Sequence, residues 1–251
     1  MVIKKRCLLW DWTNTRDCPQ MMDKVNFNGP LQSVSNWNTW TPAELKGRLA
    51  FRPMVHLMPQ LEGQDWNNVV NSNQPIIHFF NEPERAGISP EQAAEKWNSQ
   101  MLSLRRDKGK KLVSPSCSND SNGQAWLASF MNLVSANPPD YLGLHYYGTN
   151  GNDAIAFIQS MHAKYPNHPI IVSEIASISR AYADVLEFTA QLANWMDETD
   201  FVFEYAFFGC MRNLADDFVS PEAQLMNGDG AFKDLMYKLM CDQPINGKDV
   251  K

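Results

Sequence analysis

Short apolar runs alternate along the whole chain with stretches whose apolar positions recur at helical spacing. Eight runs of strand length stand at 7–11, 32–37, 49–57, 75–80, 111–115, 141–147, 169–174 and 201–208. The second is the most polar and therefore the weakest strand signal. Between the runs lie helix signals. Ser89-Pro90-Glu91-Gln92 joins an N-cap, a proline at the first helical position and a capping-box partner, after which Ala93, Trp97, Met101 and Leu104 share one face. Thr41-Pro42-Ala43-Glu44 repeats the signature and predicts a short helix there. Apolar stripes through Trp126, Phe130 and Leu133, through Ile155, Ile158 and Met161, and through Val185, Phe188, Leu192 and Trp195 read as packed faces. Eight strand–helix repeats in 251 residues is the size of a (β/α)8 (TIM) barrel of the α/β class. A doubly wound open sheet competes, but it needs a glycine-rich phosphate turn after the first strand, where "LLWDWTNTRD" stands instead. Without a linker, repeat or low-complexity segment, 1–251 reads as a single domain.

Charge narrows the partners. A net charge of -6, with 20% charged residues, offers no basic field to phosphates or an anionic membrane. Neither nucleic acid nor a membrane is therefore expected as a partner. No apolar run approaches the roughly 20 residues that span a bilayer, and "MVIKKRCLLWDW" lacks the features of a signal peptide. The five cysteines show no CxxC and no zinc spacing. They read either as buried core fillers or, in an extracellular protein, as one or two disulfides with at least one thiol left over. Trp10, Trp12, Trp37 and Trp40 crowd the N-terminal part of a chain with 8 Trp, 7 Tyr and 13 Phe, residues that serve either a core or sugar stacking.

In a barrel of this type the chemistry sits where strands end on the C-terminal face. The fourth run ends at Asn81-Glu82, the sixth at His145-Tyr146-Tyr147 and the seventh, "PIIVSEIAS", at Glu174. An ionised carboxylate at the end of a buried strand needs a partner or a function. Two of them arriving at one face suit glycoside hydrolysis, one protonating the leaving oxygen and one meeting the oxocarbenium carbon. Glu82 then needs a raised pKa, which apolar neighbours such as Phe80 would supply, and Glu174 needs donors that keep it ionised. Asp11 is a weaker candidate for a sugar hydroxyl. Glu84 reads as a loop acid near Arg85, and Glu204, early in the last run, as a salt-bridge partner.

The series "HFFNEPE", "ISPEQAAEKW", "LGLHYYG", "IIVSEIAS" and "FVFEYAFFG" resembles the fungal branch of glycoside hydrolase family 128, a family of β-1,3-glucanases, and its order and spacing cover the chain. The resemblance implies a (β/α)8 barrel that cleaves β-1,3-glucan with retention, without metal or cofactor, acting as a monomer, extracellular or at the cell wall. By motif position Glu82 would be the general acid/base and Glu174 the nucleophile. Asn81 would contact the sugar 2-hydroxyl, and Tyr147 or His145 would hold Glu174. Trp12, Trp37, Trp40, Tyr146 and Phe208, at predicted strand ends, are candidate sugar platforms beside His145 and Tyr147. Relatives often read His-Trp-Tyr on strand six, where this chain has His145-Tyr146-Tyr147, a change that bears on chain-length preference more than on the bond cleaved.

Three alternatives stay open at this point. A metal-dependent hydrolase would use His145, Glu82 and Glu174 as ligands, although no HxH or HExxH pattern is present. A glucan oligosaccharide-binding protein would keep the cleft with little turnover. A third reading keeps the carboxylate pair and changes the sugar, since fold alone does not choose a substrate.

Overall fold

The computed structural model describes residues 1–248. The strands are β1 (Arg6–Leu9), β2 (Leu31–Ser35), β3 (Ala50–Phe51), β4 (Met54–Val55), β5 (Ile76–Phe79), β6 (Lys111–Val113), β7 (Leu142–Gly148), β8 (Ile170–Ser177) and β9 (Val202–Phe207). The helices are α1 (Trp12–Asp17), α2 (Gly63–Asn71), α3 (Pro90–Lys96), α4 (Leu102–Lys108), α5 (Ser121–Leu133), α6 (Gly151–Lys164), α7 (Tyr182–Glu198) and α8 (Asp234–Cys241). The strands pair in parallel as two arcs, β3-β2-β1-β9-β8-β7 and β4-β5-β6. Bridges from Val113 to Tyr141 and from Cys117 to Leu144 join β6 to β7. At the other seam β3 and β4 are one barrel strand interrupted at Arg52-Pro53. Pro53 has no N–H for the ladder, while its carbonyl still accepts from the backbone N–H of His78 at 2.9 Å. The ring is thus the expected (β/α)8 barrel with its third strand broken in two.

The helix expectations hold where the caps are strong. The Ser89 hydroxyl accepts from the Gln92 N–H, and the Gln92 side chain reaches back to the N–H of Ser89. Ala93, Trp97, Met101 and Leu104 are all buried, although the helix loosens into a π turn over Trp97–Met101. The helix expected at Thr41 does not form: Lys46 (φ 40°) and Gly47 (φ 73°) are both left-handed, which a right-handed helix cannot contain. Leu133, the end of its stripe, is exposed at the last residue of α5.

Charges inside the barrel are paired. Arg52 and Glu204, 4% and 1% exposed, meet at 2.7 Å, and Glu204 also accepts from Gln32 and the Ser33 hydroxyl. This is the salt bridge that the position of Glu204 suggested. On the outer side of the sheet, Arg6 bonds Asp197 of α7, the Tyr205 hydroxyl and the carbonyls of Leu239 and Asp242, locking the C-terminal chain to β1. All five cysteines are free thiols, four of them buried, so the core-filler reading holds and the disulfide reading does not. Among the described residues no helix is long and apolar enough to cross a membrane.

Candidate active site

Glu82 is delivered by a contorted stretch after β5. Phe80 (φ 42°) and Glu82 (φ 41°) both take the left-handed region, which costs a bulky residue about 1–3 kcal/mol. Backbone bonds to both neighbouring strands hold them there. Phe80 N–H donates to Val55 and Asn81 N–H to His56 on one side; on the other, Glu82 N–H donates to Ser116, whose own N–H returns a bond to Phe80. The surroundings therefore determine a conformation that the residues alone would avoid.

Glu174 arrives on β8, buried, and is gripped through both oxygens. Trp37 Nε1–H donates to Oε1 at 2.6 Å, and the Tyr147 hydroxyl donates to Oε2 at 2.6 Å. Trp37 reaches it from a tight turn after β2, where it too is left-handed (φ 60°) and Asn36 Oδ1 accepts from the Asn38 N–H. Burial, then Glu174 itself, raises the Tyr147 pKa well above the usual phenol value, so the hydroxyl remains a donor. Asn119 braces Tyr147 by accepting its backbone N–H at 3.1 Å.

His145 stands between the two acids and is fully buried. Its Nδ1 is 2.9 Å from Glu82 Oε1 and its Nε2 3.6 Å from Glu174 Oε1. Burial disfavours a charged ring, but Glu174 and the bond to Glu82 outweigh it, and the His145 pKa lies above the ordinary imidazole value. Burial also pushes Glu82 upward, but His145 and then Arg85, 3.5 Å away, outweigh it, and its pKa lies below the usual range. The expectation of a raised Glu82 is thus corrected: burial is present, and the hydrogen bond and charge interaction with His145 of β7 override it. Acid and imidazole titrate as one unit. A proton resting on His145 needs only to cross the 2.9 Å bond for Glu82 to act as an acid.

One cavity of about 700 Å³ opens over this group, within the roughly 300–1,000 Å³ of small-molecule sites. Glu82, Glu174, Asn81, Trp12, Trp37, Tyr147 and Phe208 all line it, and so does Asp11. Phe208 sets its ring edge-on to Trp37 at 5.7 Å and to Tyr147 at 5.9 Å. Asn81 Oδ1 is buried and makes no bond within the described residues. Three expected sugar contacts are not brought to the cavity. Tyr146 alternates with its neighbours on β7, so with His145 and Tyr147 inward it points out and packs on Phe157 of α6 at 5.6 Å. His145 lies beneath the carboxylates rather than at the surface. Trp40, past the turn that carries Trp37, does not line the cavity; its carbonyl accepts from Asn36. Trp10, just past the end of β1 at Leu9, is fully buried, and Trp12 already opens α1.

The model of the glycosyl hydrolase catalytic core family matches residues 9–238. A crystal structure of a subgroup VI exo-β-1,3-glucanase of family 128 from Aureobasidium namibiae is 63% identical, covers 98% of this chain and 99% of its own, and superposes with a TM-score of 0.97. The chain belongs to glycoside hydrolase family 128. More distant members share the fold: an endo-β-1,3-glucanase from Lentinula edodes at 23% identity (TM-score 0.80, covering 94% of this chain and 98% of its own) and an oligosaccharide-binding protein from Cryptococcus neoformans at 18% (TM-score 0.75, 97% and 94%). No curated protein matches the chain.

Several residues of this family 128 cavity were not singled out from sequence. His56, at the end of the expected third run, and Asn119, past the fifth, were open to the same strand-end rule that found Glu82. Met211, Ala215, Asp216 and Phe218 fall in "GCMRNLADDF" after β9, a stretch the sequence marks only as a loop able to close the cleft, and Val219 adjoins it. The Glu82–His145 pair carries a pH prediction. His145→Gln leaves Glu82 to titrate without its imidazole, so the alkaline limb of the kcat/KM profile should move to lower pH, with kcat down about tenfold or more. An unmoved limb would show that His145 does not hold the acid's proton. The same raised pKa stabilises the fold below the ordinary imidazole value of about 6.5, and that stability should fade as pH rises through the folded value.

Proposed function

We propose that this chain is a retaining β-1,3-glucanase that cleaves from a chain end. The observation that carries the reading is the division of labour between two carboxylates facing one cavity. Glu174 is fixed through both oxygens by neutral donors, and Glu82 is coupled to an imidazole that can hold or return a proton.

Each step follows from that arrangement. Each Glu174 oxygen has spent one lone pair on its donor, leaving another to bond the sugar C1. As that bond forms, the C1–O bond breaks and the proton of the Glu82–His145 pair passes through Glu82 to the departing oxygen. Glu82, now ionised beside Arg85, takes a proton from water as the water oxygen attacks C1 and releases Glu174. Trp12, half-exposed beside the carboxylates, offers an apolar face to a sugar ring. Support for the β-1,3 linkage and for action at a chain end comes from the Aureobasidium enzyme, 63% identical over nearly the whole chain. No observation favours a binding protein without turnover, since both acids are in place.

The test is the configuration of the first product. Proton NMR during hydrolysis of laminari-oligosaccharides should show the β-anomer appearing first and mutarotating later. Initial α-anomer would mean direct attack by water and would remove Glu174 from the role of nucleophile.

A further inference from the structure

The irregular segment 209–220 after β9 forms one wall of the cavity through Met211, Ala215, Asp216, Phe218 and Val219. Its middle, 212–218, is largely exposed, so little buried apolar area holds it in place. What holds it is polar and comes from outside. Arg180, in the turn after β8, donates through Nη1 to the Val219 carbonyl at 2.8 Å and through Nη2 to the Asp217 carbonyl. Beside it the Ser220 hydroxyl donates to the Ser179 carbonyl, and at the far end Arg212 pairs with Asp17 of α1. Asp216 turns the segment inward by accepting from the N–H groups of Phe218 and Val219 at 2.9 and 3.1 Å. Phe218, 53% exposed, then sets its ring edge-on to Tyr147, centroids 5.5 Å apart, the ring whose hydroxyl holds Glu174.

The position of this wall follows from the chemistry. The leaving sugar departs on the side of Glu82, at the end of β5. The sugar that becomes bonded to Glu174 must lie the other way, over β8 and the strands that follow it around the ring, β9 and then β1. A segment carried by β9 stands across that non-reducing end. Only a chain whose end meets the wall can place C1 at Glu174.

We propose that Arg180 is the latch that keeps this wall shut, and that it thereby sets the preference for chain ends; the inference rests on the glucanase reading above. Arg180 is exposed, does not line the cavity and touches neither carboxylate, so it acts through the segment. A guanidinium suits the task because its planar fork reaches two carbonyls at once, and the tied backbone leaves the wall no room to lift.

The experiment compares wild type, Arg180→Ala, Arg180→Lys and Phe218→Ala on a long soluble β-1,3-glucan and on a short laminari-oligosaccharide, following product lengths and viscosity. Wild type should release one short length from the start with little loss of viscosity. Arg180→Ala should give a ladder of lengths and a rapid viscosity loss, while turnover of the short oligosaccharide changes less than about threefold. Arg180→Lys, with one donor head, should fall between them, and Phe218→Ala should broaden the products by thinning the wall itself. A folded Arg180→Ala with the wild-type product pattern would overturn the latch while leaving end-wise cleavage intact. A ladder from the wild type would overturn the end-wise reading and the latch with it.

Discussion

Replacement of Glu174 by Gln is expected to reduce hydrolysis of a β-1,3-linked oligosaccharide on the order of 10⁴-fold or more, because on the proposed mechanism it removes the atom that bonds C1 rather than a group that assists it. The amide keeps the shape of the acid and inverts half of its hydrogen bonding. The Trp37 N–H can only donate, so the amide oxygen must face Trp37, and the new NH2 must face Tyr147, whose hydroxyl can rotate to accept. The variant should therefore fold and still bind oligosaccharide. Tyr147→Phe is the useful contrast. It removes one hydrogen bond to a charged group, worth about 1.5–3 kcal/mol, and should cost roughly 10- to 150-fold in kcat. Kinetics of the two variants beside a binding titration separate these outcomes. Near-normal turnover by Glu174→Gln would move the nucleophile elsewhere.

The second large effect is on stability. Glu204 receives Arg52 through Nε at 3.0 Å and Nη2 at 2.7 Å, besides Gln32 at 2.9 Å and Ser33 at 2.7 Å, all inside the barrel. Glu204→Ala leaves the Arg52 guanidinium buried without a counter-charge, which should cost about 3–5 kcal/mol and lower Tm by roughly 10 °C. Removing both charges as Arg52→Met with Glu204→Leu should restore most of the loss, since burying an ion pair is itself expensive. Thermal unfolding of the three proteins checks this. A single variant as stable as wild type would mean that water or a shifted side chain reaches Arg52 when Glu204 is gone.

Much of this architecture was legible in the sequence because strand ends obey simple rules. A short apolar run ending in Asn-Glu or Ser-Glu places its acid at the mouth, and Glu82 and Glu174 do meet there. The third run contains Pro53, and the strand breaks there because proline has no N–H to give the ladder. Tyr146 was misplaced although the period of two forbids it to share a face with Tyr147, an error of parity rather than of missing information. The pKa of Glu82 was a different matter. Its direction is set by His145, 63 residues away, and no local pattern announces that contact. How the wall 209–220 is held was not legible for a related reason: hydrogen bonds to carbonyls hold it, and carbonyls leave no signature in a sequence.

The left-handed backbone at Trp37, Phe80 and Glu82 bears on how this enzyme could be improved. At Trp37 and Glu82, only partly buried, Gly or Asn would relieve the backbone, whereas at Phe80, fully buried in the core, the lost packing outweighs that relief. A screen that rewards heat resistance alone would therefore be drawn to the residue that holds Glu174 and to Glu82 itself. Its hardiest survivors would be inert. Selection for robustness in this barrel has to score catalysis in the same round, or leave positions 37 and 82 out of the library.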